Sequence, residues 1–180
     1  MHVGFVLNPI AGMGGRVGLK GTDGKVAEAR ERGAEPRAPA RAERALSELA
    51  ERLPDAEIAT WGDPMGESAV RAAGYEPDVL GAPDGEETES ADTHAAVTAF
   101  VDAGVDLVLF VGGDGTAADV AEALAGSDTP MLGVPAGVKV YSSVFAVSPE
   151  EAAHIVASHE RTERREVMDI DEDEYREGEV

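Results

Sequence analysis

The residues of this sequence best suited to chemistry lie in a short glycine-rich turn, GGDGT, at positions 112–116. Glycine adopts positive φ angles and lets another group approach the backbone closely. The amide groups of such a turn, together with a helix N-terminus, attract an anion such as phosphate. Asp114 is the unusual member, because a carboxylate repels anions; it suits a site where it holds a metal ion or accepts a proton from an attacking hydroxyl. The alternative is an ordinary strand-to-helix turn in which Asp114 caps the helix.

Two elements would position this turn. The uninterrupted apolar run at 107–111 is typical of a strand buried on both faces, and residues 117–125 favour a helix. A second strand end lies near the N-terminus, where residues 2–7 predict a buried strand and residues 8–18 a glycine-rich loop. Asn8 would then stand at the carboxyl end of a strand, where open α/β sheets bind ligands. The loop lacks the last glycine of the dinucleotide-binding fingerprint, and a flexible connector is the alternative.

The rest of the chain alternates between strand and helix patterns. Further strands are predicted at 57–61, 78–80 and 130–134, and further helices at 39–53, 65–73, from Ser90 or Asp92 to Ala103, and at 149–158. The helix at 39–53 has the clearest apolar face, formed by Ala42, Ala45, Leu46, Leu49 and Leu53. Ser148 and Glu151 form a capping box at the start of the last helix. This alternation predicts an α/β fold, with a parallel sheet covered by helices on both faces.

Composition limits the classes of partner. The 180 residues include 36 acidic and 15 basic side chains, giving a formal charge of −21. Such a surface repels nucleic acid and anionic membranes and resembles the proteins of salt-loving microbes. The absence of cysteine excludes disulfides and thiolate catalysis, and we see neither a signal peptide nor a membrane span, which predicts a cytoplasmic protein.

The histidines do not predict a metal site. His94, His154 and His159 lie in or beside predicted helices, and no carboxylate stands at a spacing that suggests a shared metal ion. We therefore interpret them as surface residues.

Three stretches, in this order, resemble the ATP-NAD kinase-like family. They are Asn8-Pro9 followed by glycines, GGDGT at 112–116, and GVPAGVK at 133–139 followed by Ser142 and Ser143. Related forms of the pentapeptide occur in diacylglycerol and sphingosine kinases and in phosphofructokinases. The resemblance implies a Rossmann-like N-terminal α/β domain at residues 1–166. It also implies that the β-rich C-terminal domain of the family is absent, residues 167–180 being an acidic tail or the start of that missing domain.

The resemblance further implies an activity and roles for individual residues. Family members transfer phosphate from ATP to the 2′-hydroxyl of NAD to give NADP, with Mg²⁺ or another divalent cation. Asp114 would be the base or orienting group for that hydroxyl. The nucleotide-binding residues would be Asn8, Gly112, Gly113, Gly115, Thr116, Gly137, Lys139 and Ser142. Lys139 would neutralise phosphate charge as a point cation, although a solvated surface lysine is the alternative. Ser142 and Ser143 would donate hydrogen bonds or cap a turn.

Three hypotheses follow for the function. The first is an NAD kinase-like phosphotransferase that acts on small nucleotide substrates. The chain would be a fragment of the full enzyme, and without the β-rich half it should be nearly inert; the resemblance also implies a homo-oligomer. The second is a kinase of a lipid or another small alcohol, which the acidic surface and the lack of a membrane-binding helix disfavour. The third is a nucleotide-binding module without catalysis.

Overall fold

A computed structural model of the chain describes residues 1–11, 37–85, 87–136, 139–158 and 167. The described strands are β1 (His2–Leu7), β2 (Glu57–Thr60), β3 (Asp78–Val79), β4 (Leu107–Gly112) and β5 (Met131–Pro135). The described helices are α1 (Ala38–Arg52), α2 (Glu67–Ala72), α3 (Ser90–Ala103), α4 (Asp114–Leu124) and α5 (Pro149–Ala157). The strands form one parallel sheet in the order β3-β2-β1-β4-β5, which confirms the predicted α/β fold.

The strand order creates a reversal at the centre of the sheet. From β1 the chain proceeds outward through β2 to β3, and it then returns to place β4 on the other side of β1. In doubly wound sheets, ligands bind at such a reversal, outside the carboxyl ends of the two central strands. Asn8 follows β1 and Gly113 follows β4, so the two predicted loops flank this point.

The two faces of the sheet are buried by different helices. Val3, Phe5 and Leu7 of β1 share one hydrophobic cluster with residues of α1 and α5. Val6 of the same strand belongs to a second cluster, with residues of α3 and α4. Alternate residues of a strand point to opposite faces, so an unbroken apolar strand is the expected sequence for a sheet covered on both sides.

Helices α1 and α5 confirm the apolar face and the capping box that the sequence predicts for them. In α1, the predicted apolar residues Ala42, Ala45, Leu46 and Leu49 are fully buried. At the start of α5, the Ser148 side chain accepts a 3.1 Å hydrogen bond from the Glu151 amide. A bidentate ion pair joins the two helices. Arg44 Nε lies 2.7 Å from Glu150 Oε1, and Arg44 Nη2 lies 2.8 Å from Glu150 Oε2.

Some predicted boundaries are wrong. The N-cap of α3 is Glu89 rather than Ser90 or Asp92, and the Asp92 carboxylate instead accepts a 2.8 Å hydrogen bond from the Glu89 amide. Helix α4 begins at Asp114, before the predicted start at residue 117, because the last three residues of the GGDGT segment already form its first turn. None of the described helices is long and apolar enough to cross a bilayer. The predictions for residues 12–18, Gly137, His159 and the tail after 167 fall outside the described residues.

Candidate nucleotide-phosphate site

The first turn of α4 lies at the carboxyl end of β4. Gly113 is the N-cap of this helix, and the first helical hydrogen bond runs over 3.0 Å from the Ala117 amide to the Gly113 carbonyl. The amides of Asp114, Gly115 and Thr116 therefore have no carbonyl partner within the helix. Because these N–H groups and the helix dipole point toward the end of β4, the turn favours an anion there.

The glycines of this turn meet one of the two reasons for glycine that the sequence suggests and not the other. Among the described residues, positive φ angles occur at Gly66, Gly74, Gly104 and Gly126, and not in the GGDGT turn. The ability of glycine to adopt a left-handed conformation is therefore not used at 112–116.

Close approach, the second predicted reason for glycine, does apply at Gly112. A Cβ atom there would lie 2.5 Å from both Cβ and Oγ1 of Thr116, so glycine is needed to seat the Thr116 side chain. At Gly115, by contrast, an added Cβ would meet nothing within 4 Å. Gly115 therefore faces open space.

Asn8 and Thr116 join the carboxyl ends of the two central strands. The Asn8 backbone amide donates a 2.9 Å hydrogen bond to the Val111 carbonyl, and its side-chain Nδ2 donates to Thr116 Oγ1 over 3.2 Å. Its side-chain oxygen accepts a 3.3 Å hydrogen bond from the Ile10 amide. Thr116 is only 6% exposed. The two residues hold the sheet reversal together, while the Thr116 hydroxyl proton stays available for donation.

Asp114 is held by a different segment of the chain, the loop after β5. Its Oδ2 accepts a 2.8 Å hydrogen bond from the Tyr141 amide. Its Oδ1 accepts two bonds from Ser142, at 2.8 Å from the amide and 2.6 Å from Oγ. The alternative in which Asp114 only caps its own helix does not describe this arrangement, since the N-cap is Gly113 and the partners lie in another loop.

The start of this loop is fixed to β4 and its end to β5. At its start, the Ala136 amide donates a 3.1 Å hydrogen bond to the Gly112 carbonyl. At its end, the chain returns beside Gly133, whose amide donates to the Val144 carbonyl and whose carbonyl accepts from the Ala146 amide, each over 2.9 Å. A Cβ at Gly133 would lie 2.6 Å from atoms of both Phe110 and Phe145, whose rings meet edge to face with centroids 5.4 Å apart.

Ser142 and Lys139, two predicted nucleotide-binding residues of this loop, differ in exposure and in their contacts. Ser142 is 7% exposed, and its two donors go to Asp114. Lys139 is exposed, with its Nζ 5.1 Å from the centroid of the Tyr141 ring. Its predicted contact with phosphate stays a prediction. The sequence does not predict the Tyr141 amide as a hydrogen-bond donor to Asp114. The donor is a backbone group, so the identity of the side chain gives no indication of it.

A second polar cluster lies farther along α4. His94 of α3 is half-buried, with its Nε2 3.1 Å from Glu122 Oε2 and 3.8 Å from Asp119 Oδ1. The sequence treated His94 as a surface residue without nearby carboxylates, because these partners are far from it along the chain. The packing of α3 against α4 brings the three side chains together.

The strand order defines the class of the protein: a doubly wound α/β domain, with the GGDGT turn at its central reversal, where sheets of this class bind ligands. A family model described as ATP-NAD kinase N-terminal domain matches residues 3–163. The chain belongs to this family, which confirms the resemblance found in the sequence. Searches of curated proteins and of solved structures return no significant match.

Proposed function

We propose that this chain supplies the phosphate-binding side of an NAD kinase-like phosphotransferase, which moves the γ-phosphate of ATP to the 2′-hydroxyl of NAD. Family membership supports kinase chemistry in general. The observation that carries the proposal is the placement of the α4 amides and the restrained Asp114 at the reversal between β1 and β4.

The ATP phosphates would bind at the first turn of α4. The free amides of Asp114, Gly115 and Thr116 provide donors there, and the helix dipole adds partial positive charge. These local donors matter because the chain as a whole carries a formal charge of −21, which repels a polyanionic nucleotide.

Asp114 would orient the acceptor hydroxyl and take its proton. A carboxylate offers about four acceptor positions. Oδ1 accepts two hydrogen bonds and Oδ2 accepts one. The remaining position is on Oδ2, so a hydroxyl that donates to Asp114 would approach this oxygen from a fixed direction. Phosphoryl transfer depends mainly on such positioning and on charge stabilisation.

A magnesium ion here would be held mainly by the ATP phosphates and water, which Mg²⁺ binds together with carboxylate ligands. Asp114 could contact the ion directly only in place of the hydroxyl, because its carboxylate has one acceptor position left. When bound, the ion would neutralise charge on the phosphate oxygens.

A nucleotide-binding module without catalysis is the second candidate. The observation that favours it is that Asp114 already accepts three hydrogen bonds from its own chain. In this interpretation the carboxylate fixes the loop after β5 and reacts with nothing.

One experiment separates these functions. The full-length protein, including any chain that its gene encodes beyond residue 180, is incubated with ATP and Mg²⁺ in the presence of NAD, of diacylglycerol vesicles, or of no acceptor. Calorimetry measures ATP binding separately. We expect ATP to bind and NADP to form. Transfer to diacylglycerol alone would favour a lipid kinase, and ATP binding without transfer would favour the non-catalytic module. Absence of ATP binding would overturn the phosphate site itself.

A further inference from the structure

We propose that His94, Asp119 and Glu122 form a binding site for a first-row transition-metal dication such as Zn²⁺, separate from any ion that accompanies ATP. The three residues come from two packed helices, α3 and α4. One ligand atom from each lies within 4.8 Å of the others. This inference does not depend on the proposed phosphotransfer.

The spacing of the ligand atoms suits one shared ion. Zinc bonds to nitrogen and oxygen of about 2.0–2.2 Å place two ligands of a tetrahedral site about 3.4 Å apart. The His94 Nε2 atom lies 3.1 Å from Glu122 Oε2 and 3.8 Å from Asp119 Oδ1. These two distances lie on either side of the ideal value, and the ligand atoms of Asp119 and Glu122 lie within 4.8 Å of each other. All three atoms are thus close enough to share one ion after the side chains rotate toward it.

The donor set decides which metal binds. Imidazole nitrogen suits zinc, copper, nickel and iron, whereas magnesium prefers oxygen ligands. Two carboxylates beside one imidazole supply two negative charges to a dication. The site keeps access to solvent, with the side chains of His94, Asp119 and Glu122 exposed by 36%, 21% and 69%, so water would complete the coordination.

A metal here would connect the two helices that cover one face of the sheet. Asp119 and Glu122 belong to α4, whose first residue is Asp114. A dication shared with His94 would therefore fix α4 against α3 and, through the helix, the position of the phosphate-binding turn. Any ligand that binds the folded state alone stabilises it in proportion to the logarithm of its concentration.

The test is a Zn²⁺ titration of the metal-free protein, followed by calorimetry and by thermal unfolding, together with a Co²⁺ titration followed by visible absorption. We expect one dominant Zn²⁺ per chain, a rise in Tm, and a cobalt spectrum with nitrogen and oxygen ligands. His94→Gln should weaken Zn²⁺ binding by about tenfold or more. Glu122→Gln, at an exposed position, tests the same site if the histidine variant does not fold.

Matched controls separate this site from general binding to an acidic surface. His154→Gln removes an exposed histidine from α5 and should leave Zn²⁺ affinity unchanged. Excess Mg²⁺ should not displace the Zn²⁺. The proposal is overturned if His94→Gln and Glu122→Gln bind Zn²⁺ as the unaltered protein does, if His154→Gln loses as much affinity, or if Mg²⁺ competes equally.

Discussion

Two aspartates on the same helix have opposite environments. Asp114, at the start of α4, accepts three hydrogen bonds from a loop whose ends are fixed to β4 and β5. Asp119, in the middle of α4, lies 3.8 Å from a histidine side chain on α3. Backbone donors fix the direction of a carboxylate, whereas a side-chain neighbour can rotate. The first environment suits the orientation of a substrate hydroxyl, and the second suits a metal ion that draws its ligands together.

The strongest test of this contrast is Asp114→Asn. The amide cannot accept a proton, and its nitrogen would face a backbone donor of Tyr141 or Ser142. We expect NADP formation to fall by about 10²–10⁴-fold, while calorimetry still detects ATP binding. Asp102→Asn, at an exposed position of α3, is the matched control and should keep full activity. Unchanged turnover in Asp114→Asn would refute the role of this carboxylate.

Two glycine substitutions within one turn sharpen the comparison. Gly112→Ala places a Cβ 2.5 Å from Thr116, so we expect the free energy of unfolding to fall by about 1–3 kcal/mol. Gly115→Ala meets nothing within 4 Å and should raise stability by up to about 1 kcal/mol. Its added methyl group lies beside the free amides, so ATP affinity should fall nevertheless.

Chemical denaturation and ATP titration of both variants measure these effects. Equal losses of stability at the two positions would contradict the packing argument for Gly112. Unchanged ATP affinity in Gly115→Ala would place the phosphates elsewhere.

Ser142→Ala tests the hold of the loop on Asp114. The variant loses the 2.6 Å bond from Oγ but keeps the backbone bond to the same oxygen. Hydrogen bonds to charged groups contribute about 1.5–3 kcal/mol, so stability should fall by this order. If Ser142 positions Asp114, kcat should fall while KM for ATP stays constant, and Ser142→Thr should restore kcat. A rise in KM alone would instead indicate direct nucleotide binding by Ser142.

The smallest effect concerns Tyr75, which belongs neither to the candidate phosphate site nor to the group of His94, Asp119 and Glu122. Its hydroxyl donates a 2.8 Å hydrogen bond to the Leu53 carbonyl, and burial raises the pKa of Tyr75 to about 12. Because the folded pKa lies above the usual value of about 10, the resulting stability is complete below about pH 10 and is lost as pH rises toward about 12.

Tyr75→Phe removes this titration. We expect the variant to be less stable than the unaltered protein by about 0.5–1.5 kcal/mol at neutral pH, and the difference to narrow above about pH 10. Thermal unfolding of both proteins across this range measures it. A difference that stays constant with pH would show that Tyr75 does not contribute the pH dependence.

The sequence predicted those features that depend on local patterns. Strands β1 and β4 were predicted to within one residue, because each is an unbroken apolar run. Helix α1 was likewise predictable because its apolar residues are spaced to lie on its buried face. Helix α5 was predictable because its capping residues stand at the start of the helix. The three motifs in order were sufficient to indicate the family.

The remaining features depend on contacts that side-chain identity does not encode. The donors to Asp114 include the backbone amides of Tyr141 and Ser142, which any residue except proline could supply. The His94 cluster forms because α3 packs on α4, a contact between segments distant in sequence. The sequence predicts that a group approaches a glycine of the turn closely, but the structure is needed to identify that group at Gly112 as the Thr116 side chain.

The return of the chain beside Gly133 has a consequence for self-association. Residues 144–146 cover part of the outer edge of β5, and β3, at the opposite edge of the sheet, is only two residues long. Long exposed edge strands can pair with strands of other molecules, whereas short or covered edge strands resist such pairing. The described sheet therefore offers little template for β-mediated aggregation. The loop that restrains Asp114 also helps to cover the edge formed by β5.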